Sequence, residues 1–322
     1  MADSIKAVVL AAGKSTRMRS ALSKVLHPIL GRELIRYLLD ALGGCGLAAG
    51  DIVIVAGDNR AQLEKALGRG FAYASQDPPL GTAHALLSAV GRVAGHDGLL
   101  LVVVGDNPYV TAAELQRLID RHRRLRPACT LLSAVFPGEI PPFGRIVRDD
   151  RGRVERIVEE KDATDGERAI REVNASIYLF DWPRVLPLLS EIGCDNAKRE
   201  YYLTDIVAIL RRRGLEVEAL AANDFRVAIG INDRRDLQRA QAEFSRRIQE
   251  RLMLEGGVTI LGPETVTIEH GVEIGPDTVI GPHAYLAAGT RIGRGCVIGP
   301  FVFLKNIRVP DGGTREFVRE QG

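Results

Sequence analysis

No charge excess of either sign marks this chain. Forty-three Lys and Arg stand against 41 Asp and Glu, which leaves no electrostatic case for a nucleic-acid partner and confines any anion binding to a local site. Cysteine is scarce. Cys45, Cys129, Cys194 and Cys296 lie far apart and form no CxxC pair, which speaks against a disulfide or zinc framework and suits reduced thiols in a cytoplasmic protein. No apolar run approaches the ~18 residues of a spanning helix, and the amino terminus turns polar and charged by Lys14. Neither a signal peptide nor a membrane anchor is read. Also missing are the GxGxxG of a dinucleotide fold and the GxxxxGK[ST] of a P-loop, which weakens hydride-transfer and ATPase readings. The six histidines show no HExxH spacing, no Ser–His–Asp set is evident, and routine polar or surface use accounts for them. Aromatics are sparse at 5%, whereas the 34 glycines are unevenly placed.

What is present begins at Lys6–Leu30. Ala7-Val8-Val9-Leu10 offers one short buried strand, which runs into Ala11, Ala12 and Gly13 and then into a basic stretch carrying Lys14, Arg17, Arg19 and Lys24. Small residues at a strand end let backbone approach a ligand, and Gly13 tolerates unusual dihedrals. Exposed amides of such a turn form an anion-binding concavity, to which Lys and Arg add charge-assisted hydrogen bonds. A polyphosphate cradle is one reading; a plain strand, turn and solvated basic loop is the other, with similar weight.

At 322 residues two domains are expected, since single cores stop growing near ~250–300 residues. Up to about residue 225, short apolar runs alternate with amphipathic ones. Strands are expected at 51–57, 71–74, 99–104, 128–135, 177–180 and 217–220, and helices at 34–42, 62–67, 83–90, 111–123 and 201–212. Thr111 and Glu114 are spaced as a reciprocal helix cap. Residues 144–147 and 154–158 read as an inserted hairpin. The alternation argues for an α/β fold, a Rossmann-like, mostly parallel sheet covered on both faces. Ligands in such folds gather beyond the carboxyl ends of the strands, where residues 11–13, 57, 76–82 and 106 would emerge. A long charged helix over 237–254 could connect domains.

From Ile268 the pattern changes. Ile268, Ile274, Ile280, Leu286, Ile292, Ile298 and Leu304 recur every six residues, with Gly275, Gly281, Gly293 and Gly299 at turns. That period signals a β-helix in which aliphatics stack from coil to coil, here of a little over two coils. Pro310-Asp311-Gly312-Gly313 stops the repeat, and the charged residues from Thr314 read as an end cap or disorder.

Asp106 follows a buried strand and a glycine, and Asn232 follows Gly230-Ile231. Mg²⁺ takes one or two protein oxygens, with water and phosphates completing its shell. Taken singly, each residue is more simply a turn or cap group; together with the basic glycine-bearing opening, a metal–polyphosphate site becomes the better reading. Glu159 and Asn174 are equally open to hairpin or turn chemistry.

The motifs LAAGKSTRM (10–18), SKVLHPI (23–29), PLGTAHA (79–85), GDNP (105–108), FGRI (143–146), IVEEKDAT (157–164), EVNASIY (172–178), EYYLTDI (200–206) and GIND (230–233), followed by the hexapeptide tract, resemble the bacterial N-acetylglucosamine-1-phosphate uridyltransferase family, bifunctional enzymes that also acetylate glucosamine 1-phosphate. The resemblance implies a nucleotidyltransferase domain over 1–230, a connector over 231–256, a short left-handed parallel β-helix over 257–309 and a tail over 310–322. It implies that Leu10, Ala11, Ala12 and Gly13 form the nucleotide loop, with Arg17 and Lys24 on the phosphates and Arg17, Lys24 and Asp106 as catalytic groups. Gln76, Gly81 and Thr82 would read uracil; Thr82, Gly144, Glu159 and Asn174 would surround the N-acetyl sugar; Asp106 and Asn232 would hold Mg²⁺. The implied reaction joins UTP and N-acetylglucosamine 1-phosphate, a cell-wall precursor step, with release of pyrophosphate. The family's acetyl-CoA site lies in later coils without a counterpart here, so acetyl transfer is not expected. A homotrimer through the coils stays open, weakened by their number. Transfer to another sugar 1-phosphate, or a non-catalytic nucleotide-sugar scaffold, are the alternatives.

Overall fold

The computed structural model describes residues 4–322, which form two compact units. One comprises the residues up to Leu26 together with Leu34–Ile231, the other His27–Glu33 together with Asn232–Gly322.

In the first unit the apolar runs become a sheet. Its strand order is Val217–Ala221, Cys129–Val135, Glu172–Asp181, Leu99–Val104, Ile5–Leu10, Ile52–Ala56, Ala72–Ser75. Neighbours run parallel except Glu172–Asp181, which lies antiparallel to both of its flanking strands. Alternate residues feed two cores: Ala7, Val9, Ile54, Leu101 and Val103 face one side, and Val8, Val53, Val55, Leu100 and Val102 the other. Burial on both faces explains why these strands are continuously apolar rather than alternating. Ile35, Leu38, Leu115 and Leu118 of helices Leu34–Gly44 and Ala112–Leu125 cover the first side. Ala85 and Leu86 of Thr82–Ala89 and Ile206 and Leu210 of Asp205–Arg212 cover the second.

Two local expectations change here. Thr111 Oγ1 does accept from Glu114 N–H at 3.2 Å, but Glu114 does not reach back to the cap. Its carboxylate accepts from Asn223 N–H at 2.9 Å and pairs with Arg117 at 2.6 Å, partners far stronger for a buried charge than one end amide. The helix expected from Tyr201 begins only at Asp205, because the backbone of Tyr201 and Leu203 is used on another loop, as described below. The Arg145–Arg148/Val154–Val158 hairpin forms as expected and joins the sheet through the Val173–Arg145 pair.

The second unit contains the short hairpin Pro28–Ile29/Arg32–Glu33, the helix Arg234–Leu254 and a parallel β-helix. Asp233 caps the helix, its side chain accepting from Arg235 and Asp236 N–H at 2.8 and 3.0 Å. Buried Gln249 donates to the carbonyls of Pro263 and Val266 at 3.0 and 2.9 Å, tying the helix to the first coil. In the β-helix, Ile260, Ile280, Ile298 and Arg315 stand in one register column, Ile268, Leu286, Leu304 and Glu320 in a second, and Ile274, Ile292 and Val309 in a third. The coils therefore exceed the two read from the period: three are complete and two further strands follow, carrying the pairing through residues that read as a tail. The period hides both ends. A short turn at Pro263–Thr265 lengthens the first coil, and in the last one Arg315 and Glu320 replace the stacked aliphatics and pair with each other at 3.0 Å. Among the described residues no helix is long and apolar enough to cross a membrane.

Candidate functional site

Where the first strand ends, Ala11 N–H donates to Val55 O and Gly105 N–H to Leu10 O, both at 2.8 Å. The turn Leu10–Gly13 is thereby clamped between two neighbouring strands. Asn59 braces it from below, its Nδ2 donating to Ala11 O and Ser23 Oγ, each at 2.8 Å, while Gln62 holds Ser23 N–H and Ala21 O. Ser15 and Arg19 adopt left-handed backbone, at φ 51° and 48°, a conformation that costs a non-glycine residue about 1–2 kcal/mol. Asn59 and Gln62 escaped sequence reading because an ordinary helix start conceals their reach across the fold.

The turn opens onto a cleft of about 520 Å³, lined by residues 10–13 together with Lys24, Gln76, Gly81, Thr82, Asp106 and Glu200. Lys24 Nζ lies 2.5 Å from Asp106 Oδ2. Gly230 leaves room beside that carboxylate, since a Cβ there would stand 3.0 Å from Asp106 Oδ1. Ile231 N–H donates to Asp106 O at 2.9 Å, fastening the segment that ends the unit.

At the opposite wall Gln76 is buried. Its Nε2 donates to Gly81 O at 2.9 Å and lies 3.2 Å from His84 Nδ1, so its carbonyl oxygen is the group left for a ligand. Gly81 has φ +114°, and a side chain there would strike Tyr201 O at 2.5 Å. The reason is a strap. Tyr201 N–H donates to Leu80 O and Ala83 N–H to Tyr201 O, at 2.8 and 2.9 Å. Leu203 N–H donates to Thr82 Oγ1 at 2.9 Å, and Thr204 Oγ1 to Glu159 Oε1 at 3.2 Å.

That strap leads to the other predicted residues. Asn174 N–H donates to Gly144 O at 2.8 Å, and Gly144 faces Glu159, whose Oε1 would lie 3.4 Å from an added Cβ. Asn174 Nδ2 donates to Tyr178 Oη at 2.6 Å, while its Oδ1 accepts from Ser176 N–H at 3.1 Å across a bulge in the strand. Burial pushes the Glu159 carboxyl up from its ordinary value; the Thr204 hydrogen bond and Lys198 oppose this, and Asp205 and Asp162 add to it. Burial first, and then the surrounding carboxylates, push the Tyr202 phenol up to about 12.

The cleft thus brings together residues 10–13, Lys24, Gln76, Gly81, Thr82 and Asp106, with Gly144, Glu159 and Asn174 joined to it through the strap. Arg17 is not among the lining residues. It sits exposed on the turn Thr16–Met18, whose buried member is Met18. Asn232 is the first residue of the second unit's long segment, half-buried, with its N–H donating to Asp236 Oδ2 at 2.9 Å. For a cation, Asp106 supplies a hard carboxylate oxygen with open space on its Gly230 side, which suits Mg²⁺. Among the described residues no group of three or more His, Cys, Asp or Glu side chains could hold a metal, so an ion at Asp106 would draw most of its shell from substrate and water. Glu200 and the strap residues belong to the EYYLTDI motif, but no site role follows for them from the sequence, where Tyr201–Arg212 has helical spacing.

Residues 7–176 match the family model of the MobA-like NTP transferase domain, and residues 271–306 that of the bacterial transferase hexapeptide. The bifunctional protein GlmU of Brevibacillus brevis is 42% identical over 310 residues, covering 96% of this chain and 66% of that protein. The GlmU of Pelobacter propionicus is 41% identical over 311 residues, covering 96% and 67%. The chain therefore spans about two thirds of the length of these relatives. A solved structure described as a candidate glucose-1-phosphate thymidylyltransferase from Bacillus anthracis, in complex with a sucrose, superposes with TM-score 0.61 at 22% identity. It covers 74% of this chain and 95% of that one, a likeness of fold.

Proposed function

This chain belongs to the bifunctional GlmU family, and on that premise we propose that it transfers a uridylyl group from UTP to N-acetylglucosamine 1-phosphate, releasing pyrophosphate. One observation carries the reading: a clamped glycine-bearing turn, the Lys24–Asp106 pair and the Gln76–Thr82 loop line a single cleft. An oxygen of the sugar phosphate attacks the α-phosphorus of UTP, and the bond from that phosphorus to the bridging oxygen of the β-phosphate breaks. Because a phosphate monoester is already largely ionised at pH 7, with a second pKa of about 6, no general base is required. The work is alignment and charge stabilisation.

Each residue then has a part. The amides of Ala12 and Gly13 approach phosphate oxygens, and Lys24 moves its charge onto them from Asp106. Arg17 supplies positive charge to the leaving pyrophosphate. Gln76 presents an acceptor and the Gly81 N–H a donor, a pair complementary to the N3–H and carbonyl of uracil and mismatched to cytosine, whose N3 accepts. Thr82, Gly144, Glu159 and Asn174 surround the sugar. Asp106 and Asn232 would hold Mg²⁺, which when bound neutralises phosphate charge and polarises the α-phosphate. Acetyl transfer is assigned to no residue of the coils present, and a homotrimer through those coils is a separate question of solution size.

The test is pyrophosphate release with each of the four nucleoside triphosphates against N-acetylglucosamine, glucose and galactosamine 1-phosphates. Turnover confined to UTP with N-acetylglucosamine 1-phosphate and dependent on Mg²⁺ supports the reading. A preference for another pair redirects it, and nucleotide binding without turnover supports the scaffold alternative.

A further inference from the structure

We infer that Thr204 is a positioning residue that holds the Glu159 carboxylate as the hydrogen-bond acceptor of the sugar subsite, acting through the strap of residues 201–204 that also sets Thr82 as a donor. The inference rests on the uridylyl-transfer reading for the identity of its substrate.

Thr204 stands immediately before the helix Asp205–Arg212, where a threonine ordinarily caps the first turn. Here its side chain makes no cap hydrogen bond. The hydroxyl is buried and turned instead to Glu159 Oε1 at 3.2 Å. One residue earlier, the Leu203 amide donates to Thr82 Oγ1. A hydroxyl that accepts from an amide keeps its own proton to give, so Thr82 offers a donor to a carbonyl or phosphate oxygen. A carboxylate that accepts on Oε1 keeps Oε2 for a sugar hydroxyl or acetamido N–H. Two neighbouring residues of one segment thus set opposite polarities at two points of the subsite. The segment is itself anchored on the base-reading loop at Leu80 and Ala83.

The setting of Glu159 makes this hydrogen bond matter. Asp162 and Asp205 are the anions that face it, Lys198 the cation, and the Tyr178 and Tyr202 phenols share the surroundings. Burial and the two carboxylates favour the protonated acid, which could not accept on both oxygens; Thr204 and Lys198 oppose them. Removing the Thr204 hydroxyl therefore favours the acid further and weakens sugar binding on the acid side first.

The variant is Thr204→Val, which keeps the shape and loses the donor; Thr204→Ser restores the donor. In turnover with UTP and N-acetylglucosamine 1-phosphate, the valine variant is expected to raise KM for the sugar phosphate about ten-fold, the order of a lost hydrogen bond to a charged group. KM for UTP should change little, the acid limb of kcat/KM for the sugar phosphate should move to higher pH, and serine should return both to wild type. Alongside, the carboxyl carbon of Glu159 is titrated by ¹³C NMR in the ligand-free protein, assigned with Glu159→Gln; its midpoint should rise in the valine variant. An unmoved limb and midpoint, or equal losses for both substrates, overturns the inference. If the wild type turns over no sugar phosphate, the substrate reading fails, while the titration still decides whether Thr204 holds Glu159. Should the valine variant misfold, Thr204→Ala is read in the same two ways.

Discussion

In the coils, each inward side chain repeats the one a turn earlier: Ile260, Ile280 and Ile298 share one column, Ile268, Leu286 and Leu304 the next. In the sheet unit no residue of the candidate site repeats. Leu10–Gly13, Gln76, Asp106, Glu159 and Thr204 come from five segments and meet only because strand order brings their ends together. A one-dimensional stack writes its contacts into sequence as a period. A layered sheet writes only its cores that way, and its chemistry falls in the connections, where no period operates.

The comparison is sharpest under large changes. Leu286 is wholly buried in its column, and Leu286→Ala should cost about 2–5 kcal/mol, read as a lower urea midpoint; a cost well under 1 kcal/mol would mean that the stack is not tightly packed. On the sheet side, Asp106→Ala should cut turnover by a factor of roughly 10² or more while leaving circular dichroism unchanged. Near-normal Mg²⁺-dependent turnover by that variant removes Asp106 from the chemistry.

Smaller effects probe the connections. Thr111→Ala removes the one made half of the expected reciprocal cap and should cost ~1 kcal/mol, whereas a full cap would lose both bonds. The smallest effect concerns pH. Glu159 titrates above its ordinary value in the folded protein, so the folded state binds the proton more tightly than the unfolded chain. Its contribution to stability is therefore complete below the ordinary carboxyl range and is lost as pH rises through the folded value. Glu159→Gln carries no such loss, so variant minus wild-type stability should grow as pH rises from the ordinary carboxyl range through the raised folded value. A flat difference across that range would return Glu159 to an ordinary carboxyl.

Much of this architecture was legible beforehand, for identifiable reasons. The strand at Leu99–Val104 and the six-residue period each arise from burial, which composition reports directly. The failures occurred where polar residues do tertiary work. Tyr201–Arg212 has helical spacing, yet Tyr201 donates to Leu80 and accepts from Ala83, Leu203 donates to Thr82, and Thr204 donates to Glu159. The last coil was missed because Arg315 and Glu320 occupy positions that aliphatics fill elsewhere. Asn59 and Gln62 look like surface residues of a helix until the loop of residues 21–23 is laid over them.

Apolar patterning and turn chemistry are local properties of a chain, so two kinds of domain, the buried runs and the residue types able to meet a phosphate are readable from the residues alone. Tertiary packing settles that Gln76 Nε2 is spent on Gly81 O, that Thr204 serves Glu159 rather than its own helix, and that coil pairing continues past the last stacked aliphatic. Those outcomes depend on which groups packing brings within reach of one another, and local patterning does not report that.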